Sequence, residues 1–169
     1  MTVIYTIGHS LHAASRFVAL LHTHHIKRIV DVRSQPFSKR AVHFYRSALE
    51  KLLLGSGVEY AFAGEQLGGR PSDRTVYRQD GTVDYGRRGA QTDFKEAIAR
   101  LVEISQSDRT AILCAEEDPA ACHRRLLVAP ALLRAGSAVV HIRGDGRLEA
   151  EHLEAASMQL DLFGGGDRR

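Results

Sequence analysis

The sequence predicts an α/β domain of three layers, a mostly parallel sheet of about five strands with helices on both faces. Two observations predict it. Short runs rich in Val and Ile recur at 3–7, 28–32, 58–62, 110–114 and 138–142, each the length of a buried strand. Helical periods separate them, and strand–helix alternation favours parallel pairing with helices covering the sheet.

The elements follow in order. Ala14, Phe17, Val18 and Leu21 keep the i, i+3, i+4, i+7 rhythm of a helix after the first strand, with Ser10 as its expected N-cap. A second helix is expected to end at Leu54, stopped by Gly55. A third starts near Asp93 and sets Phe94, Ile98, Leu101 and Val102 on one face. A fourth is expected from Asp118-Pro119, an N-cap followed by proline at the first helical position, with Pro130 kinking or splitting it. A short helix is expected near 147–156.

Residues 64–91 break the alternation. They hold six glycines and five arginines, with a hairpin expected to turn at Asp80-Gly81. A glycine-rich insertion of that length reads as a lid or binding loop. The chain is thus read as one domain over 1–156 and a flexible tail over 157–169.

Composition narrows the class. With 169 residues, 44% hydrophobic and 25% charged, the chain can bury one normal core. No apolar run reaches membrane-span length, and no secretory signal pattern opens the sequence. Cys114 and Cys122 are the only cysteines, too few for a disulfide framework, so a cytoplasmic location is expected. A net charge of +3 permits an anionic partner without requiring one.

Ligands of open α/β sheets bind at the carboxyl ends of the strands. Here those ends read Gly8-His9-Ser10, Asp31-Val32-Arg33, Cys114-Ala115-Glu116-Glu117-Asp118 and His141-Ile142-Arg143. Acid, base and cation at several ends suggest a site; salt bridges closing that edge are the alternative. Asp31 is expected to be partly buried and paired with Arg33, acting as base or nucleophile while Arg33 holds an anion such as phosphate. Glu116, nearer its strand than Glu117, supplies a second carboxylate. His9 and His123 are candidates for proton transfer or for orienting the substrate.

Cys122-His123-Arg124 is expected in the first turns of the fourth helix, where free N–H groups and the dipole favour anions. Arg124 joins Arg33 and Cys122 as a candidate substrate contact, and so do Arg70 and Tyr85, because arginines alternate with Tyr77 and Tyr85 in the insertion. Neither cysteine begins a Cys-x5-Arg loop, since Ala120 and Val128 occupy the sixth positions. Cys114, Cys122, His123 and His9 are zinc-ligand types, but no CxxC spacing joins them. The expectation is two buried, inert cysteines, with no metal or cofactor.

These motifs resemble a known family. Thr6-Ile7-Gly8-His9-Ser10, Val30-Asp31-Val32-Arg33 with Pro36, Leu67-Gly68-Gly69-Arg70, Cys114-Ala115-Glu116, Cys122-His123-Arg124, His141-Ile142 and Asp145-Gly146 look like the domain of unknown function family 488. The resemblance implies a bacterial and archaeal α/β domain and carries no activity. Separately, Gln159-Leu160-Asp161-Leu162-Phe163 looks like the pentapeptide that docks bacterial DNA polymerases and repair proteins on the sliding clamp. Leu162 and Phe163 supply apolar anchors, and Gln159 fixes register.

The expected function is therefore an enzyme acting on nucleic acid or a nucleotide, hydrolysing an N-glycosidic or phosphoester bond and recruited to DNA through the clamp. The alternatives are a non-catalytic nucleotide- or nucleic-acid-binding adaptor and a small-molecule enzyme unrelated to DNA.

Overall fold

In the computed structural model, which describes residues 1–152, six strands form one sheet. They are β1 (Val3–Gly8), β2 (Arg28–Asp31), β3 (Glu59–Phe62), β4 (Thr110–Cys114), β5 (Ala138–Ile142) and β6 (Leu148–Ala150), in the order β3-β2-β4-β1-β5-β6. The first five pair in parallel, and β6 runs antiparallel to β5. The docking pentapeptide 159–163 lies outside the described residues. No helix among those described is long and apolar enough to cross a membrane.

Strand parity divides the core. Ile7, Ile29, Ala111, Leu113 and Ile142 face α1 (Ala14–Thr23) and α2 (Arg46–Gly55) through Phe17, Leu20, Leu21, Leu49 and Leu53. Ile4, Val30, Val32, Ile112 and Val139 face the other layer. Phe94, Ile98 and Leu101 of α5 (Thr92–Ile104) pack there, beside Leu132 of α6 (Ala129–Arg134). The two short helices α3 (Gly64–Leu67) and α4 (Tyr85–Ala90) lie within the glycine-rich insertion. Its hairpin turns at Gly81, whose φ of +81° suits glycine, with Tyr77 bridging Val83.

Four expectations change. Ser10 does not cap α1; the helix starts at Ala14 after Ala13, with no side-chain cap, and Ser10 sits in a left-handed turn at φ +47°. Helix α2 runs one residue past Leu54 through Gly55, and the left-handed residue behind it is Gly57 at φ +70°.

The expected fourth helix is three pieces. Asp118 does accept a hydrogen bond from Ala120 N at 3.0 Å, but only a 3-10 turn, Pro119–Ala121, follows. Cys122 is extended, a π-helical turn spans Arg124–Val128, and α6 begins at Ala129. Pro130 accounts for the last break: it has no N–H for the carbonyl of Leu126 and crowds it, so the turn ahead widens. Finally, the segment expected as a helix near 147–156 begins as β6. Gly146, at φ +96°, turns the chain, and Arg143 N bonds Arg147 O at 2.9 Å.

Candidate active site

Helices leave β1 and β2 for one face of the sheet and leave β3 and β4 for the other. Adjacent β2 and β4 therefore send their chains apart, which opens a crevice at their carboxyl ends. A cleft of about 310 Å³ lies there. Arg33, Ser34, Gln35 and Phe37 line it from the β2 side. Cys114, Ala115 and Glu116 contribute from β4, Cys122 and His123 from the segment beyond, and Gly69, Arg70 and Tyr85 from the insertion.

Asp31 is not in that lining. Its carboxylate is fully buried and accepts four hydrogen bonds, which fill its capacity. Arg33 Nε and backbone N donate to Oδ1 at 2.9 and 3.1 Å, while Arg33 Nη2 and Tyr60 Oη donate to Oδ2 at 2.6 and 2.9 Å. Arg33 Nη1 donates to Phe44 O at 2.8 Å. The expected pairing with Arg33 is present, and the carboxylate expected as base or nucleophile is fully rather than partly buried and holds Arg33 in place. Two guanidinium N–H bonds of Arg33 remain beyond those contacts. Burial, then the Asp31 charge, push the Tyr60 hydroxyl up.

Glu116 sits at the cleft and accepts a hydrogen bond from Cys114 Sγ at 3.2 Å. Burial alone would raise its pKa. Hydrogen bonds from its own backbone N–H and from both thiols outweigh that and hold it below the usual range. It is ionised at neutral pH. His123 Nε2–H donates to Val32 O at 3.0 Å, which leaves Nδ1 bare. That nitrogen lies 3.5 Å from Cys114 Sγ and 4.0 Å from Cys122 Sγ. The imidazole rests on Gly69, where an added Cβ would fall 2.7 Å from His123 Cγ. A hydrogen bond with Cys114 and then burial push the Cys122 thiol up, so it meets the cleft as a neutral S–H.

Arg70 is the exposed cation of the cleft. Its backbone N is tied to Ser34 Oγ at 2.9 Å, and its guanidinium has no partner among the described residues. Tyr85 lines the same cleft, and burial above all raises its hydroxyl.

Arg124 departs from expectation. It is fully buried, and its guanidinium clamps the carbonyls of Glu116 and Glu117, the latter at 2.6 Å. It shapes the loop and does not reach the cleft. Arg125 turns to Glu151 at 2.6 Å. The β5 end also stays apart: His141 bonds Thr6 at 2.7 Å and Glu151 at 3.0 Å, while Arg143 pairs with Glu117 and Glu149. Salt bridges do close that part of the edge.

His9 lies behind the cleft, stacked on Phe44 with ring centroids 4.5 Å apart. Its Nδ1–H donates to Ser10 O at 2.8 Å, and its buried Nε2 has no hydrogen-bond partner among the described residues. Burial lowers its pKa to about 4, against the raising effect of the Ser10 bond. Ser34, Phe37 and Tyr60 escaped the sequence reading. Strand parity would point to Tyr60 only once β3 is known to flank β2.

Fold and site together define an α/β domain with a polar cleft at a topological switch point. The model of the domain of unknown function DUF488 matches residues 13–130, and the chain belongs to that family. Every residue lining the cleft falls within the match. No curated protein and no solved structure matches the chain.

His9 sets a pH dependence. The unfolded ring binds a proton below 6.5, whereas the folded ring stays neutral down to about 4. Stability is therefore complete above 6.5 and falls as pH drops towards 4, by about 3 kcal/mol at most. Urea denaturation across that range should show His9→Gln losing this part of the slope. Equal slopes in the two proteins would contradict the buried neutral ring.

Proposed function

We propose that this chain is an enzyme acting on a nucleotide, free or within a nucleic-acid strand, and that the β2–β4 cleft is its active site. The observation that carries the reading is the meeting, in one cleft, of the carboxylate of Glu116, the unprotonated Nδ1 of His123 and a guanidinium on Arg70 that forms no ion pair among the described residues.

Arg70 and the two remaining N–H bonds of Arg33 suit phosphate oxygens. Tyr85 and the half-exposed ring of Phe37 offer faces for a base. Glu116, ionised at neutral pH, takes a proton from water, the water attacks the glycosidic carbon or the phosphorus, and Glu116 returns the proton to the leaving group as its bond breaks. Asp31 serves through Arg33, and His9 through the packing of Phe44.

The tail extends the proposal. Gln159, Leu160, Leu162 and Phe163 match the clamp-docking pentapeptide at every position, and this supports recruitment to DNA by the sliding clamp. Purified clamp should bind the wild-type chain and lose the Leu162→Ala, Phe163→Ala variant, with the circular dichroism of the domain unchanged. A melted domain and no clamp binding by wild type would oppose it.

For the cleft, a fluorescein-labelled single strand and nucleoside monophosphates serve as probes. Arg70→Ala should weaken strand binding and lower the salt slope by about one. Glu116→Gln should keep binding and reduce release of base or phosphate by about 10²–10⁴-fold. Binding without any turnover in wild type would favour the adaptor reading, and wild-type behaviour in both variants would place the site elsewhere.

A further inference from the structure

We propose that Cys114, Cys122 and His123 hold a zinc ion, with its fourth position open to the cleft beside Glu116. This deepens the activity proposed for the same cleft by naming what would activate the water there.

The geometry comes first. Cys114 Sγ, Cys122 Sγ and His123 Nδ1 all lie within 4.8 Å of one another, and the two sulfur–nitrogen separations are 3.5 and 4.0 Å. A tetrahedral zinc, with bonds of about 2.3 Å to sulfur and about 2.0 Å to nitrogen, sets such edges at about 3.6 Å and a sulfur–sulfur edge at about 3.8 Å. The three atoms close on an ion through shifts of about 1 Å or less.

The histidine is already arranged as a ligand. A metal-binding imidazole donates its other N–H to a fixed acceptor, which settles both tautomer and ring angle. His123 does this to the carbonyl of Val32, a fully buried residue next to β2, and Gly69 permits the ring to seat. The ligand-bearing segments are equally fixed. Cys114 ends β4 in register with Gly8, and an added Cβ there would strike Glu116 O at 1.7 Å. The carbonyl of Cys122 accepts from Arg125 N and Leu126 N at 2.9 and 3.0 Å, and Arg124 pins the loop between the two cysteines.

A cysteine nucleophile activated by His123 fits less well. Two thiols converge on one imidazole nitrogen, and the carboxylate of Glu116 stands 3.2 Å from Cys114 Sγ, where it opposes a bare thiolate. A dication reverses that: it stabilises both thiolates and the carboxylate together. Two sulfurs and one imidazole select zinc over calcium or magnesium. His9 takes no part, since its ring lies against Phe44.

The sulfur contact also puts the Glu116 carboxylate within reach of a water in the fourth position. Zinc lowers the pKa of such a water to about 7. Glu116 accepts its proton, the resulting hydroxide attacks the substrate, and Glu116 returns the proton to the leaving group as that bond breaks.

The test uses the full chain, kept reduced and freed of metal by chelation, titrated with Co²⁺ in the absence of substrate. One equivalent should give a thiolate-to-cobalt charge-transfer band and the visible bands of a tetrahedral ion, both erased by an equivalent of Zn²⁺. Cys122→Ser and His123→Ala should weaken zinc binding by more than about 100-fold, because even outer-shell changes cost about 10–100-fold. Glu116→Gln should keep the cobalt spectrum; its loss would overturn the open fourth position and make the carboxylate a ligand. A folded, reduced wild-type chain without the charge-transfer band would overturn the site. Because no substrate is present, that failure is separate from failure of the enzymatic reading: turnover without metal leaves the activity standing and removes the zinc.

Discussion

A charge pair inside the protein organises everything around the cleft. Asp31 and Arg33 leave β2 almost wholly removed from water, at 0% and 4% exposure, where an unpaired charge would be costly. Only complete hydrogen bonding offsets that cost. Tyr60 reaches over from β3, the carbonyl of Phe44 reaches in from the loop after β2, and the backbone N–H of Arg33 folds back on the carboxylate. Three segments distant in sequence are thus fixed by one pair. Phe44, once held, carries His9 against it and closes the α1–α2 layer below.

A second buried arginine acts on the opposite wall. Arg124 forms no ion pair with a carboxylate among the described residues and instead draws the carbonyls of Glu116 and Glu117 around its guanidinium. The loop after β4 is bent towards the sheet, and Gly8 leaves room for it because no side chain intervenes. The cleft is therefore bounded by two segments that cannot relax independently: β2 with its ion pair and β4 with its clamped loop. Gly64 admits the backbone of Arg33 in the same way, with an added Cβ 2.1 Å from its carbonyl, and so seats the insertion that brings Arg70 and Tyr85.

Much of this was legible in the sequence because burial writes a period. The five parallel strands sit within a residue of their apolar runs, and the clustering of Asp31, Arg33, Glu116 and His123 near one edge followed from reading each run to its end. Side-chain roles were less legible, since they depend on what lies across a gap that the sequence does not measure. Arg124 and Arg70 look alike as letters. One is enclosed by carbonyls after the break at Cys122, and the other projects from a glycine pair into the open cleft. The strand β6 was missed because it is only three residues long and gains its pairing from β5 rather than from a pattern of its own. Cys114 and Cys122 lack a metal motif in sequence because one ends a strand and the other precedes a π-helical turn.

The most direct test of this organisation is equilibrium denaturation of Asp31→Asn with and without inorganic phosphate. Removing one partner of a buried pair should cost about 3–5 kcal/mol. Phosphate should stabilise the wild-type protein, and the variant should lose that stabilisation, because Arg33 is no longer held at the cleft. A variant as stable as wild type and equally stabilised by phosphate would contradict the central role of the pair.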